Sequence, residues 1–321
     1  MKHNLDSVVT TILFSLLGLS GCVTVPKGVP ASASPIDLNE SRSSLGLPKN
    51  EDVVANPVTP LLQRSGGLAL SPEGVLYFAN HKKLGTIGKY ELGKTKEPET
   101  FIDLSEWISA SGDRDLRVEG LRLDKNNRLL VAEAGTGKLL RISPDARKLE
   151  ILADSYDGYR FATVKDLAIG PNGDLYASSP YSGTVYRIRP DTGYVGILNE
   201  DLVRVEGLAI SPDGKRLVAA EPDASRIVVF DIPEELEPVT SWTLVDFSPS
   251  GVEPKGVVFD EDGRLFVALG NREEIRVFDL GKGEELVVYN AGGVAESITY
   301  RDGSLFISGG DRIRRMRLRA K

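Results

Sequence analysis

Hydrophobic and polar positions recur in the same order six times along the chain. Each copy has a short apolar segment, a polar turn and a second apolar segment, often with aromatic side chains. The copies are GGLALSPEGVLYFAN (66–80), EGLRLDKNNRLLVAE (119–133), KDLAIGPNGDLYASS (165–179), EGLAISPDGKRLVAAE (206–221), KGVVFDEDGRLFVAL (255–269) and ESITYRDGSLFISG (296–309). Each turn contains glycine or asparagine, the residues that best adopt the positive φ of a tight hairpin. The pattern predicts six pairs of hairpin-linked strands.

Further apolar segments follow these pairs. Third segments occur at 183–188, 226–232 and 274–280, and fourth segments at 99–105, 148–154, 241–247 and 285–291. Four antiparallel strands repeated every 41 to 53 residues are typical of β-propeller blades. We therefore expect an all-β chain with a six-bladed propeller over residues 56–321.

The last copy lacks a fourth segment. It ends at its third apolar segment, within residues 312–321. Residues 56–63, which precede the first copy, are the expected fourth strand of that blade. An amino-terminal strand at this place would close the ring and cover its last open edge.

The amino terminus has the organisation of an export signal. Lys2 precedes an apolar run from Val8 to Leu19, which is too short to span a membrane, and small residues follow it. We expect a signal peptide at 1–21. Leu19-Ser20-Gly21-Cys22 resembles the lipobox of bacterial lipoproteins, which implies lipidation of Cys22. The alternative is an ordinary signal peptide that ends at a cysteine by chance.

Residue 23 is a valine, where an aspartate would imply retention in the inner membrane. The lipobox resemblance therefore implies an outer-membrane lipoprotein that faces the periplasm or the cell surface. Residues 22–55 are rich in Ser, Pro, Ala and Asn, and we expect them to form a tether from Cys22.

Composition excludes several classes of site. The net charge of −7 argues against nucleic acid as a partner, because phosphate backbones favour basic surfaces. A single cysteine excludes zinc or iron–sulfur centres built from thiolates.

Two segments carry a family resemblance. Residues 151–188 and 205–221 (VEGLAISPDGKRLVAAE) resemble the gluconolactonase and senescence-marker-protein family. The resemblance implies a six-bladed propeller with a lactonase activity and one divalent metal at the channel mouth. The family's four metal-ligand positions fall here on Gly66, Lys165, Glu206 and Lys255, with Asp166 retained beside Lys165. Only Glu206 keeps an oxygen donor at those positions, whereas a hard cation prefers six or more oxygens.

The first residue of each copy forms an expected ring at the channel mouth. The ring reads Gly66, Glu119, Lys165, Glu206, Lys255 and Glu296, so that acid and base alternate. Neighbouring ion pairs explain such a ring without any ligand. A second interpretation is a pocket for a small polar or anionic ligand, with Lys165 and Lys255 as anion contacts. A third is a shifted metal site that uses Glu119, Glu206, Glu296 and Asp166.

The second strand of each copy returns to the same face, so its end is expected to frame the mouth. These ends carry Asn80, His81, Glu133, Ser178, Ser179, Glu221, Asn271 and Asp311. Glu133 and Glu221 complete the predicted ligand-binding set of Glu119, Lys165, Asp166, Glu206, Lys255 and Glu296. His81 is predicted to be a surface turn residue. No serine has the Gly-x-Ser-x-Gly motif of a nucleophile, which argues against a Ser-His-Asp triad that uses His81.

The leading functional prediction is a propeller lipoprotein of the cell envelope. It would bind a small polar or anionic ligand, or an envelope protein, at the channel mouth, without the family's metal and with no other cofactor. The alternative is a lactone or ester hydrolase with a rearranged Ca²⁺ or Zn²⁺ site, in which Glu206 or Asp166 acts as the catalytic carboxylate.

Overall fold

The computed structural model describes residues 46–109, 114–234 and 236–318. The predicted signal peptide (1–21), Cys22 and the tether as far as residue 45 lie outside the described residues. All described residues fall in one compact unit, Leu38–Lys321. Within them, no helix has the length and apolar character needed to cross a membrane.

Six four-stranded antiparallel sheets form the blades of a propeller, as the repeats predict. In blades 1 to 5 the strands follow chain order from the inner to the outer edge. Their bounds are Leu68–Leu70, Val75–Ala79, Thr86–Glu91 and Glu99–Asp103 in blade 1; Val118–Leu123, Leu129–Glu133, Lys138–Ile142 and Leu149–Ala153 in blade 2; Leu167–Ile169, Leu175–Ser179, Thr184–Arg189 and Tyr194–Asn199 in blade 3; Leu208–Ile210, Arg216–Glu221, Arg226–Asp231 and Trp242–Asp246 in blade 4; and Pro254–Phe259, Arg264–Leu269, Glu274–Asp279 and Glu285–Asn290 in blade 5.

Blade 6 consists of Ser297–Arg301, Ser304–Ser308 and Arg314–Arg317, and its outer strand is Asn56–Pro57 from the amino-terminal side. Asn56 pairs with Arg315 and Pro57 with Arg314 in an antiparallel register. The predicted closure by an amino-terminal strand is therefore confirmed. The strand is shorter than 56–63, although Leu62 still donates a 2.7 Å backbone hydrogen bond to Asp311.

Residues 47–55, the last part of the predicted tether, contact the propeller. Val53 is buried in the hydrophobic cluster between blades 5 and 6, and Leu47 and Ala55 pack against that cluster. The hydroxyl of Tyr289 donates a 2.8 Å hydrogen bond to the carbonyl of Pro48. This segment also contains a short 3-10 helix, Asn50–Asp52.

Short elements outside the blades are few among the described residues. Two more 3-10 helices, Leu104–Glu106 and Ser248–Ser250, lie in loops between blades, and Ser155–Tyr156 pairs with Tyr159–Arg160 as a small hairpin. The hairpin turns within blades have the predicted backbone conformation: Gly74 has φ +84° and Asn127 has φ +56°.

The core lies between blades, because each blade is buried on both faces by its neighbours. One cluster, for example, joins Leu130 and Leu139 of blade 2 to Leu167 and Ile188 of blade 3. The inner strands all begin on one side of the ring, here called the mouth face. The tight turns that follow them lie on the opposite side, here called the turn face.

Candidate functional site

The starts of the six inner strands enclose one cavity of about 100 Å³ at the mouth face, here called the mouth cavity. Its lining contains all six ring positions predicted from the repeats, together with the residue that follows each of them. The ring positions are Gly66, Glu119, Lys165, Glu206, Lys255 and Glu296. The structure thus brings together residues that are up to 230 positions apart in the chain.

Glycines make the mouth cavity narrow. In four blades the residue after the ring position is a glycine that contacts the backbone of the next blade. A Cβ at Gly207 would lie 2.1 Å from the carbonyl oxygen of Lys255, and one at Gly256 would lie 2.8 Å from that of Glu296. Glycine at these positions therefore allows the inner strands to approach closely around the axis.

Ion pairs between neighbouring blades occupy the ring, as its alternating charges predict. Lys165 Nζ lies 2.9 Å from Glu119 Oε2, and Lys255 Nζ lies 3.3 Å from Glu206 Oε2. Glu206 is almost fully buried, at 3% exposure, whereas Glu296 is exposed. Two of the three ring carboxylates are therefore held by an ammonium group from the next blade.

Two arginines that the sequence analysis missed also hold these carboxylates. Arg117 Nε lies 2.9 Å from Glu119 Oε1, and Arg204 Nη2 lies 2.9 Å from Glu206 Oε1. Both belong to the same five-residue sequence, RVEGL, at 117–121 and 204–208. Residues two apart on an extended segment point to the same side, so this repeated Arg-x-Glu spacing is a signal that could have identified them.

The Lys165 ammonium stays protonated at neutral pH. Burial by itself lowers the pKa of Lys165, but the carboxylates of Glu119, Glu206 and Glu296 outweigh that effect and raise the pKa above its ordinary value. Lys165 is consequently a hydrogen-bond donor at the mouth cavity and not a base or an amine nucleophile.

Asp166 also lines the mouth cavity, and Arg122 from blade 2 holds it. Asp166 Oδ2 accepts a 2.9 Å hydrogen bond from Arg122 Nη2 and a 3.0 Å bond from the backbone amide of Leu208. Its other oxygen, Oδ1, is buried and has no hydrogen-bond partner among the described residues. A Cβ at Gly120 would lie 2.5 Å from this oxygen, so Asp166 packs closely against that glycine.

Glu133 and Glu221, two members of the predicted ligand-binding set, do not line the mouth cavity. Both side chains are fully buried at the ends of second strands. Glu133 accepts hydrogen bonds from the amides of Arg117, Gly135 and Thr136, at 2.8, 2.8 and 2.9 Å. Through these bonds it holds the loop that leads into its blade and the turn between the second and third strands of that blade.

Glu221 has a similar structural setting. It accepts a 2.8 Å hydrogen bond from the amide of Val203 and is paired with Arg226. Asn80, after the second strand of blade 1, accepts hydrogen bonds from the amide of Gly85 in the following loop and from that of Val118 in the blade 2 inner strand. Asn271, after the second strand of blade 5, accepts one from the loop amide of Glu253. Buried polar groups such as Glu133, Glu221 and Asn80 require such partners, and these hydrogen bonds connect the strand ends to neighbouring segments.

His81 is buried, at 5% exposure, so its prediction as a surface residue is wrong. Its ring meets the ring of Phe78 edge-on, with centroids 5.3 Å apart. Neither ring nitrogen has a hydrogen-bond partner among the described residues. Burial, and secondarily the charge of Lys82, lowers the pKa of His81, so the ring is neutral at pH 7.

In the part of the chain that the structure describes, no group of three or more His, Cys, Asp or Glu side chains is arranged to hold a metal ion. The carboxylates of Glu119, Glu206 and Asp166 instead contact cationic side chains. The arrangement offers alternating hydrogen-bond acceptors and donors around one small cavity.

Comparison with known proteins agrees with this fold. Residues 146–301 match the family model described as SMP-30/Gluconolactonase/LRE-like region. The chain is thus similar to this family over a little under half of its length. The matched region includes Lys165, Asp166, Glu206, Lys255 and Glu296, whereas Gly66 and Glu119 lie before it.

Curated relatives match at low identity. A gluconolactonase of Zymomonas mobilis is 26% identical over 188 residues, which cover 51% of this chain and 52% of the relative. Protein STRICTOSIDINE SYNTHASE-LIKE 7 of Arabidopsis thaliana is 27% identical over 226 residues, which cover 63% of this chain and 57% of the relative. The chain therefore spans a little over half the length of these curated relatives.

Solved structures share the fold over most of the chain. A gluconolactonase from Xanthomonas campestris superposes with a TM-score of 0.68 at 20% identity, covering 86% of this chain and 93% of that one. A calcium-binding protein, regucalcin, from Agrobacterium tumefaciens gives a TM-score of 0.64 at 12% identity, covering 84% and 96%. At these identities the likeness supports the architecture and not a shared activity.

Proposed function

We propose that this propeller binds a small polar ligand of the sugar-lactone or sugar-acid class at the mouth cavity. The observation that carries the proposal is the alternation of carboxylate and ammonium groups around one cavity of about 100 Å³. Carboxylates accept hydrogen bonds from ligand hydroxyls, and ammonium groups donate to carbonyl or carboxylate oxygens. The gluconolactonase of Zymomonas mobilis, a relative over half of the chain, supports this ligand class.

Binding would proceed without the family's divalent metal. Gly66 has no side chain to offer, and Lys165 and Lys255 place ammonium groups where oxygen ligands would be needed. The carboxylate of Glu206, at a third ligand position, contacts both Lys255 and Arg204. This donor set does not fit a hard cation that prefers six to eight oxygens.

Calorimetric titration with two stable probes, gluconate and the uncharged cyclic polyol 1,5-anhydroglucitol, tests the proposal. We expect binding of at least one probe in the presence of EDTA, and weakening of about tenfold or more in Lys255→Met and Glu206→Gln. Lys89→Met is the matched control, because Lys89 forms a 3.4 Å ion pair with Glu99 on the outer part of blade 1. Binding that requires added Ca²⁺, or that both mouth variants retain in full, would contradict the proposal.

Lactone hydrolysis is the second candidate function, and the buried, unpartnered Oδ1 of Asp166 favours it. Asp166 lines the mouth cavity, and a carboxylate oxygen with no hydrogen bond could accept a proton from a water that attacks a lactone carbonyl, provided that ligand binding exposes this oxygen. Glu206 is less suited to this role because two cations engage it. For a hydrolase, we expect enzymatic opening of glucono-δ-lactone in a pH-stat and a loss of about a hundredfold in Asp166→Asn. Turnover that chelation abolishes would instead support the metal-dependent form with Ca²⁺ or Zn²⁺.

We further propose that the protein is lipidated at Cys22 and located in the outer membrane. The proposal rests on the apolar run and the Leu-Ser-Gly-Cys sequence at 19–22. Metabolic labelling with an alkyne fatty acid should label the wild-type protein and not Cys22→Ser, and sucrose-gradient fractionation should place the labelled protein with outer membranes. Equal labelling of both proteins would contradict lipidation at this cysteine.

A further inference from the structure

A second cavity opens on the turn face, away from the ring of charges. It encloses about 460 Å³, and the inner strands and following turns of blades 3 to 6 provide most of its lining. Its walls are largely apolar and include Ile169, Ile210 and Val258. A volume of this size is in the range of small-molecule sites, which are usually apolar with a few polar groups that orient the ligand.

Arg122 from blade 2 also lines this turn-face cavity. The equivalent position in the other repeats holds only small or medium side chains: Ala69, Ala168, Ala209, Val258 and Thr299. Arg122 therefore reaches across the channel, where Nη2 contacts Asp166 Oδ2 at 2.9 Å and the carbonyl of Leu208 at 3.1 Å. Because Asp166 lines the mouth cavity and Arg122 the turn-face cavity, this ion pair lies between the two.

Arg122 keeps donors for a ligand. A guanidinium carries five N–H groups. Among the described contacts, the two on Nη2 bind Asp166 and Leu208, and one on Nη1 donates to the carbonyl of Leu121 at 2.8 Å. The Nε–H and one Nη1–H have no acceptor among these contacts.

The other charged groups that line the cavity lie in the turns or at the end of an inner strand. Asp260 is buried and neutralised by Arg264, whose Nε lies 2.6 Å from it. Glu261 and Asp302 are exposed to solvent, and Arg301 contacts Asp302. Two cations on inner strands therefore line the cavity, Arg122 of blade 2 and Arg301 of blade 6. Arg301 contacts the exposed Asp302, whereas Arg122 contacts Asp166 across the channel.

We propose that the turn-face cavity is a second ligand site, for a small organic anion with an apolar body such as an aliphatic or aromatic carboxylate. The apolar body would lie against Ile169, Ile210 and Val258. The carboxylate would accept hydrogen bonds from the remaining donors of Arg122, since a guanidinium matches a carboxylate in shape and charge. The site is independent of the sugar-type ligand proposed for the mouth cavity.

Calorimetric titration of the purified full-length protein with octanoate tests this proposal, with the neutral 1-octanol as a matched probe. We expect one octanoate per chain. Ile210→Trp, which fills the cavity, should abolish binding of both probes. Arg122→Met should weaken octanoate at least tenfold while leaving octanol within about threefold. Lys89→Met, on the outer part of blade 1, should bind as the wild type does.

Three results would overturn the site: no octanoate binding by the wild type, unchanged binding in Ile210→Trp, or competition between octanoate and gluconate. If Arg122→Met fails to fold, as judged by circular dichroism, Ile210→Trp and the competition measurement decide. Gluconate titration of the same samples measures binding at the mouth cavity alone. A lack of binding at one cavity can therefore be distinguished from a lack of binding at the other.

Discussion

Gly67 in blade 1 lies against the carbonyl oxygen of Glu119 in blade 2, so closely that a Cβ on Gly67 would be only 1.7 Å from that oxygen. No side chain fits at this distance, and the obstacle is backbone rather than a movable side chain. Together with the similar contacts of Gly120, Gly207 and Gly256, this approach determines the width of the channel at the mouth.

Gly67→Ala should therefore destabilise the propeller. Inner strands of blades 1 and 2 would have to separate, and overpacking of this kind costs about 3 kcal/mol. Gly281→Ala is the control, because its Cβ would meet only the Asp279 side chain, at 3.3 Å. Urea unfolding should show a large loss of stability for Gly67→Ala and a change below about 0.5 kcal/mol for Gly281→Ala. Equal stabilities would mean that the strands are not in contact here.

Lys255→Met should reduce stability because it removes one of the two cations that hold the buried Glu206. Arg204 remains 2.9 Å from Glu206, so we expect a loss of about 1–2 kcal/mol rather than the larger cost of an unpaired buried charge. Lys89→Met, in the surface pair with Glu99, should change stability by less than about 0.5 kcal/mol. Urea unfolding of the two variants makes the comparison, and a larger loss in Lys89→Met would contradict the arrangement of the ring.

Removing residues 50–63 should markedly lower the melting temperature, because these residues supply the outer strand of blade 6 and bury Val53 and Leu62. A matched pair of point variants separates packing from chain length. Leu62 is 6% exposed and its neighbour Leu61 is 64% exposed. Leu62→Asp should destabilise by about 3 kcal/mol, since it buries a charge, whereas Leu61→Asp should be close to neutral. An unchanged melting temperature after the deletion would argue against closure by this segment.

His81 should make the protein less stable as the pH falls. Its pKa in the folded state is below the ordinary value of 6.5, because burial disfavours the charged ring. The unfolded chain therefore binds the proton more readily, and the stability that neutral His81 provides above pH 6.5 is lost as the pH falls towards the folded pKa. His81 is the only histidine among the described residues, so no other imidazole there titrates in this pH window.

The measurement compares the wild type with His81→Phe at pH 7.5 and pH 5.0. From pH 7.5 to pH 5.0, the melting temperature should fall further for the wild type than for His81→Phe. The phenylalanine keeps the contact with Phe78 and does not titrate. Parallel losses in the two proteins would exclude His81 as the source of the pH dependence.

Changing Lys165 to Asn and Lys255 to Asp together should create affinity for Ca²⁺. The double variant supplies oxygen donors at two ring positions that now carry ammonium groups, next to Glu206. We expect calorimetric binding of Ca²⁺ by the double variant and none by the wild type under the same conditions. Absence of any gain would show that the ring does not have the geometry of the family's metal site.

Several features follow from the sequence with little ambiguity. Short apolar segments, separated by turns with glycine or asparagine, specify strand pairs locally, and their sixfold repetition specifies the blades. The first position of each copy must then lie near the axis, which is why Glu119, Lys165, Glu206, Lys255 and Glu296 could be placed together at the mouth. The missing fourth strand of the last copy similarly predicted closure by the amino-terminal segment.

Other features depend on contacts between blades, and no local pattern encodes those contacts. The repeat pattern predicts that Glu133 and Glu221, at the ends of second strands, face the mouth, yet both carboxylates bind loop amides. His81 lies in a loop but is buried against Phe78. Arg122 and Asp166 pair across two blades, and each is a charged residue at a position where the other repeats have a small or medium, uncharged residue. A buried polar side chain must form hydrogen bonds, and its partners here come from segments that are distant in the chain. The chemistry of the mouth cavity and of the turn-face cavity is therefore decided only when the six blades pack around the axis.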